Sequence, residues 1–489
     1  MLFTSYTFIL VFLPLVAIIY FLLHKTLPAR FAKLFLLAAS LCFMSLWNVY
    51  FAAVLISSVV VNYAFGSALS GAAERGSDNK KILFICAIAA NILFLGFFKY
   101  SNFFLDNINA LFAANIQTIR LLLPIGISFY TFMQITWLTD IYRHGGYRYD
   151  FFTYCLYVTF FPYVVSGPIA YHKEIIPQFE SKSAGIFNID NVRRGLFIFA
   201  IGLFKKVAVA DTLAIIANGG YDTATTLTFT EAWLTSLSYT MQLYFDFSGY
   251  TDMAIGAALI FNIRLPINFN SPYKALNIVD FWQRWHLTLS RFLRDYLYIP
   301  LGGSRKGTIR TNINIMLTFL ICGLWHGAAW PYVLWGFLNG ALSIIYRFWK
   351  QTGLRMHKAL AWLLFFNFFN FSMVIFRANT WQDTEKVLKG MAGLNGIFVS
   401  PKLAESPFWQ NLTSIGVRFG SWRENLPLTE MHVYFLCIIL IPVILFTKNS
   451  NELTDQMVPG WKNALAAGFL IAYSLLLLNA PSVFLYFNF

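Results

Sequence analysis

Long apolar runs follow one another along almost the whole chain, separated mostly by short polar stretches such as 74–81. They lie at 6–23, about 31–70, 82–98, 120–142, 151–165, 195–217, 231–261, 311–348, 358–376, 431–447 and 462–488, and 31–70 has room for two. A spanning helix takes about 20 apolar residues, so the pattern predicts an all-α integral membrane protein with roughly 10–12 spans. No fixed-period repeat divides it. The chain reads as one membrane domain over 1–489, with N-terminal spans at 1–230, a core at 231–348 and C-terminal spans at 349–489.

Two stretches depart from plain spans. The polar piece at about 377–430 holds a run from Thr380 to Met391 with a Thr N-cap, acidic residues in its first turn and Lys near its end. That order predicts a capped amphipathic helix, serving as a soluble-side cap or a partner surface. The second stretch is 243–340, where Asp246, Asp252, Asn268 and Asn270 sit among apolar neighbours. Within it, Asp280 to Tyr298 has helical length but carries Arg284, Arg291 and Arg294, which rules out a simple lipid-facing span. An interfacial or re-entrant helix packed against protein is expected there, stopped by the turn at 299–303.

Composition sharpens this picture. Residues are 58% hydrophobic, 19% aromatic and only 12% charged, against roughly 25% charged in a soluble domain. Lys and Arg number 36 against 22 Asp and Glu, giving +14. In a membrane protein such an excess belongs to cytoplasmic loops, and no nucleic-acid-binding motif accompanies it. The run at 6–23 follows no Lys or Arg and precedes no small-residue cleavage site, so it reads as a retained span rather than a signal peptide. His24, Lys25, Arg30 and Lys33 come after it, which places that loop inside and the N-terminus outside. Cys42, Cys86, Cys155, Cys322 and Cys437 lie scattered without CxxC spacing and are expected to be small buried hydrophobes.

The candidate chemistry centres on His326, in the run Thr318 to Gly336. An ionisable residue inside a span is costly and points to function. Gly323, Gly327, Ala328 and Ala329 leave room beside it for a substrate or for a neighbouring backbone. Imidazole titrates near neutrality and can take a proton from a hydroxyl as general base. His286, on the amphipathic stretch beside Trp282, Arg284 and Trp285, is the second candidate, to orient a carbonyl or assist His326. Three rivals are weaker. Cys322 lies one helical turn before His326 and would make a Cys–His nucleophile. A metal site from His286, His326 and Asp246 lacks ligand spacing. Lys205 and Lys206 suggest an ion path, or snorkelling at a helix end. The basic cluster Arg305, Lys306 and Arg310 marks the cytoplasmic side, and could also dock an anionic donor such as a nucleotide thioester.

At these residues the chain resembles the membrane-bound O-acyltransferase family, in its bacterial alginate O-acetyltransferase branch. The resemblance runs through Leu123 to Tyr130 (LPIGISFY), Ser166 to Ile169 (SGPI), Gln242 to Gly256, Asn268 to Tyr273, Phe281 to His286, Leu293 to Tyr298 and Gly323 to Gly327 (GLWHG). It implies His326 as principal catalytic residue and His286 as its partner. It implies helices ringing a thinned centre, with a funnel from each face meeting at the buried histidine. On that view Trp325, Gly323, Gly327, Asp246, Ser248, Tyr250, Asp252, Asn268, Trp282 and Trp285 are the tunnel-lining candidates. Arg284, Arg291, Arg294, Arg305 and Lys306 are the donor-binding candidates, with no metal and no bound cofactor. The resemblance further implies a bacterial inner-membrane enzyme with acetyl-CoA as cytoplasmic donor. Its partners would be the lipid bilayer, a periplasmic transferase of the SGNH or alginate-acetylase type, and the export machinery of the polysaccharide acetylated. Two departures bear on the acceptor and the site. The arginine typical after the Gly-Pro motif is replaced by the run Ile169-Ala-Tyr171-His172-Lys173, and a histidine common in the following span is Asn339. Direct acylation of a membrane glycan or lipid is the alternative within the enzyme class. A transporter using Lys205, Asp246 and Asp252 as a charge path is the alternative outside it.

Overall fold

Proline, glycine and side-chain caps decide where the apolar runs become separate helices. The structure is a computed structural model, described for all residues except 120, 422, 424, 427, 428, 430, 433, 434, 479–483 and 486–489. The side chains of Ile415 and Cys437, and the end of the run expected at 462–488, lie outside the described residues. A π-helical turn, Thr7–Phe12, leads into α1 (Leu13–Thr26). Beyond Pro28 come α2 (Ala29–Ser45), α3 (Val49–Glu74), capped by Asn48, and α4 (Asn79–Phe112). Along α4 only Ala87 and Asn91 are fully buried. Asn91 Nδ2 donates to Asn62 Oδ1 at 2.6 Å, a polar tie between two otherwise apolar helices. Among the described residues, five helices are by themselves long and apolar enough to cross a membrane: Thr7–Thr26, α3, α4, Gly307–His326 and Lys358–Arg377. The helix Trp461–Leu477 is apolar but shorter.

The other apolar runs form the interior. α5 (Ile127–His144) is buried along nearly its whole length and starts after Gly126, whose φ is +77°. A Cβ there would stand 2.4 Å from Val164 O, so only glycine lets this turn press against the 160–166 segment. The run at 151–165 is not one span. It is the nine-residue α6 (Phe151–Thr159) followed by turns and an extended stretch into α7 (His172–Glu180).

α8 (Ile189–Phe204) continues through a π-helical segment, Lys205–Ala210, into α9 (Asp211–Asn218). It lies against α10 (Phe229–Ile260), the 32-residue helix at the centre of the molecule. Two glycine pairs let these backbones meet. A Cβ on Gly202 would be 2.6 Å from Gly249 O, and one on Gly256 would be 2.5 Å from Gly195 O. Small residues at such crossings replace the hydrophobic drive that lipid removes. Charge seals the same seam: Lys205 pairs with Asp252 at 2.7 Å and Lys206 with Asp246 at 2.6 Å.

The helix expected at 280–298 also needs correction. Residues 280–298 do not form a single helix but α11 (Ile278–Trp282), α12 (Leu287–Leu293) and a π-helical turn, Arg294–Tyr298. The break has a physical cause in the segment 268–270. Asn270 N donates to Arg284 O at 2.9 Å and Leu287 N to Asn268 O at 3.0 Å, so backbone groups at the break pair across the fold instead of along a helix. The run at 311–348 likewise divides, at Gly327–Ala329, into α13 (Gly307–His326) and α14 (Trp330–Gln351).

α15 (Lys358–Arg377) precedes α16 (Trp381–Met391), where the Thr N-cap expected from the sequence is present and the structure completes it as a capping box: Asp383 N donates to Thr380 Oγ1 at 3.1 Å and Thr380 N to Asp383 Oδ2 at 3.2 Å. α16 packs on α10, with Gly390 against Ala232. The polar segment also contains a short parallel pair, β1 (Ile397–Val399) with β2 (Val417–Phe419), which the pattern did not predict. Cys155 and Cys322 are buried as expected. Cys42 and Cys86 are exposed, because α2 and α4 turn those faces outward, where lipid takes a small apolar side chain as readily as a core does.

Candidate active site

His326 is the last residue of α13, and Gly327 leaves the helix in extended conformation. The imidazole is buried, with 4% of the residue exposed. Trp335 stands edge-on to it at 5.2 Å between ring centroids, and Phe376 at 5.3 Å. The glycines around it serve packing, not an open tunnel. A Cβ on Gly323 would lie 2.2 Å from Tyr332 O, and one on Gly327 would enter the Tyr332 ring at 2.1 Å. The space that Gly323 and Gly327 leave is therefore filled by α14. Gly323→Ala is expected to open this hairpin, costing about 1–3 kcal/mol by overpacking and most of the activity. Gly340→Ala, where the nearest atom is the flexible Met316 Sδ at 3.0 Å, should cost less. Thermal unfolding of the two variants in detergent, beside turnover, checks the contrast.

The carbonyls ending a helix need partners, and here α4 supplies them. Lys99 Nζ donates to Trp325 O and, at 3.4 Å, to His326 O. Tyr100 OH donates to Leu324 O at 3.2 Å. A cation at a helix C-terminus also complements its dipole. The ammonium lies 5.6 Å from the Trp325 ring as well.

His286 occupies the break between α11 and α12 with φ +43°, a left-handed conformation that costs a non-glycine residue roughly 1–2 kcal/mol. It caps α12 in that conformation instead of standing on an amphipathic helix. Asn268 holds the turn: its Oδ1 accepts from Thr288 Oγ1 at 2.6 Å and lies 3.4 Å from His286 Nδ1. Thr288 Oγ1 in turn accepts from Ile169 N at 3.0 Å, which ties the SGPI motif to the same turn. Phe247 sits edge-on to His286 at 4.8 Å. Trp325 lies between the two imidazoles, 4.7 Å from His326 and 6.1 Å from His286.

A cavity of about 80 Å³ opens onto His326 and Trp325. Its other walls are Lys99, the turn 123–126, the first turn of α5 including Ser128, and Val165 with Ser166. Its volume has room for several water molecules, and so for a small acyl group. Lys99, Ser128 and Trp335 were not singled out from sequence. Lys99 carried a signal all the same, as a charge closing an apolar run in a chain poor in charge.

The remaining candidates fall in several places. Trp282 packs on Phe319 at 5.3 Å and Trp335 at 5.9 Å, and thus forms the outer wall of the histidine's surroundings. Trp285 stacks on Phe281 at 5.5 Å, beneath His286. Asp246 and Asp252 are engaged by Lys206 and Lys205, Ser248 is buried on the same helix, and Tyr250 stacks on Phe3 at 4.9 Å. Arg284 pairs with Asp280 at 2.7 Å, Arg294 with Asp295 at 2.7 Å, and Arg291 grips Glu174 through two bonds of 2.6 and 2.9 Å. Arg305 and Lys306 are exposed and make no ion pair among the described residues. His172 is buried between Asp140, at 3.1 Å, and Tyr149 OH, at 2.8 Å. Asn339 donates to Trp335 O at 2.9 Å, within its own helix. Among the described residues no three His, Cys, Asp or Glu side chains gather as a metal site.

The fold and site define a multi-pass helical membrane protein closed around a buried histidine at the end of a helix. Residues 133–380 match the membrane-bound O-acyltransferase family. The chain is 42% identical to a peptidoglycan O-acetyltransferase of Helicobacter pylori, over 100% of this chain and 98% of the relative. It is 38% identical to a probable alginate O-acetylase of Azotobacter vinelandii, over 77% of this chain and 75% of the relative. It is 29% identical to a teichoic acid D-alanyltransferase of Bacillus subtilis, over 49% and 62%. The chain belongs to the membrane-bound O-acyltransferase family, and it is an O-acyltransferase.

Proposed function

We propose that this enzyme takes acetyl from acetyl-CoA at the cytoplasmic face of a bacterial inner membrane and passes it outward for O-acetylation of an exported polysaccharide. Peptidoglycan is the favoured acceptor, since a relative that matches over the full length of the chain is named for it. A periplasmic transferase completes the delivery, and the N-terminus lies on the periplasmic side. The observation that carries the reading is the buried imidazole of His326 against a cavity sized for a small acyl group.

His326 acts as general base. Its imidazole accepts the proton of the acceptor hydroxyl as that oxygen bonds to the thioester carbonyl carbon. When the tetrahedral intermediate collapses, the C–S bond breaks and the departing CoA thiolate receives the proton back from the imidazolium. His286 assists by position, with Trp325 between the rings. Exposed Arg305 and Lys306 meet the donor's phosphates. The transporter reading finds no support, because Lys205, Asp246 and Asp252 are spent in ion pairs.

Purified protein in nanodiscs, given acetyl-CoA labelled in the acetyl group and N-acetylglucosamine oligomers, tests the proposal with and without a candidate periplasmic transferase. CoA release with label arriving on the glycan is expected. Folded protein that binds and processes no acyl-CoA would remove the acetyl-CoA reading.

A further inference from the structure

Acyl transfer places a negative charge on the carbonyl oxygen of the tetrahedral intermediate, and a site that works must hold donors where that charge develops. His326 cannot serve as both base and sole donor. The same cavity presents a second polar face. α5 is an 18-residue helix whose first turn, Ile127 to Phe129, lines the cavity. A helix N-terminus offers amide protons and a partial positive charge. Ile127, Phe129 and Tyr130 donate their amides to Pro124 O and Gly126 O, whereas the Ser128 amide donates to no described residue.

An independent feature points the same way. Ser128 is 7% exposed and lines the cavity, and its side chain makes no hydrogen bond among the described residues. A buried hydroxyl is normally satisfied, so one left open onto a cavity beside a general base has a ligand oxygen as its natural partner. Lys99 adds charge. Its ammonium has three protons. Two are directed to Trp325 O and His326 O, and the cavity it lines is open to the third. No carboxylate neutralises it among the described residues.

We propose that the first turn of α5 with Ser128, together with Lys99, is the oxyanion site of the transfer, sharing its cavity with His326. The inference rests on the acyl-transfer reading. The thioester carbonyl oxygen would take the Ser128 hydroxyl and amide and the Lys99 ammonium as its donors. These bonds tighten as the C=O bond becomes C–O⁻ and relax when the C–S bond breaks. No proton is transferred to the oxyanion, so the balance of the reaction is unchanged.

The test is Ser128→Ala in nanodiscs, comparing acetyl-CoA with fluoroacetyl-CoA. Losing one oxyanion donor should lower kcat for acetyl transfer by about 10²-fold, with KM for acetyl-CoA unchanged. The loss should shrink several-fold with fluoroacetyl-CoA, whose fluorine already stabilises the oxyanion. A structural defect would lower both donors by the same factor, and that result overturns the assignment. So does a Ser128→Ala enzyme as fast as wild type. If wild-type turnover is absent, or unaffected by His326→Ala, the acyl-transfer reading falls and takes this one with it. If wild type is active and His326-dependent while Ser128→Ala is unchanged, only the oxyanion site falls.

Discussion

His326→Ala should lower acyl transfer by about 10²–10⁴-fold, the range over which a positioned general base contributes, while leaving the protein folded. The imidazole packs edge-on against Trp335 and Phe376, so truncation leaves a gap between those two rings. The backbone that positions it is held independently, by Lys99 and Tyr100 on the carbonyls of 324–326 and by the close contact of Gly323 with α14. Activity and stability should therefore separate at this residue. The check is CoA release and label transfer beside thermal unfolding in the same nanodiscs. Turnover unchanged in the alanine variant would move the base elsewhere. Label trapped on the wild-type chain would turn attention to Cys322, one turn away on α13.

The second large effect concerns stability. Lys206→Met should destabilise the protein by about 3–5 kcal/mol, because removing one member of a buried ion pair leaves the other charged and unsolvated. The side chains of Lys206 and Asp246 are 5% and 1% exposed, and their 2.6 Å contact joins the π-helical end of α8 to the middle of α10. Asp246 also accepts from Leu485 N at 3.0 Å, so its charge holds that backbone amide as well. The double variant Lys206→Met with Asp246→Leu should recover much of the loss, since matched apolar replacement of a buried pair is often neutral. Unfolding midpoints of the single and double variants decide the matter. A single variant as stable as wild type would mean that water reaches this seam.

What the sequence revealed, and what it hid, follows the reach of each interaction. The capped helix after Thr380 was legible because the N-cap and Asp383 are three residues apart and act within one turn. The prominence of His326 was legible because an ionisable side chain in an apolar run is conspicuous without any partner. The break at His286 was not, since it is made by Asn268, 18 residues earlier. Read locally, 280–298 has ample helix-forming residues, and only tertiary pairing of its backbone interrupts them. Lys99 shows the same limit more strongly, for its partner Trp325 is 226 positions away. Gly323 and Gly327 were visible as small residues. Whether the space they leave holds substrate or backbone depends on where α14 folds, which no local pattern states.

The charged seam between α8 and α10 also constrains how the chain can be made. A lysine at the middle of an isolated helix opposes membrane insertion by about 2.5–3.5 kcal/mol, and α8 ends on two in succession. Lys206 has Asp211 five residues on, at 2.8 Å, but the carboxylate that neutralises Lys205 arrives later in synthesis, Asp252 being 47 residues downstream. As it leaves the ribosome, α8 is thus a poor substrate for the translocon by itself and becomes a good one only as half of a pair. The segment from α8 to α10 is expected to enter the bilayer as one unit, waiting at the insertion machinery until α10 has emerged.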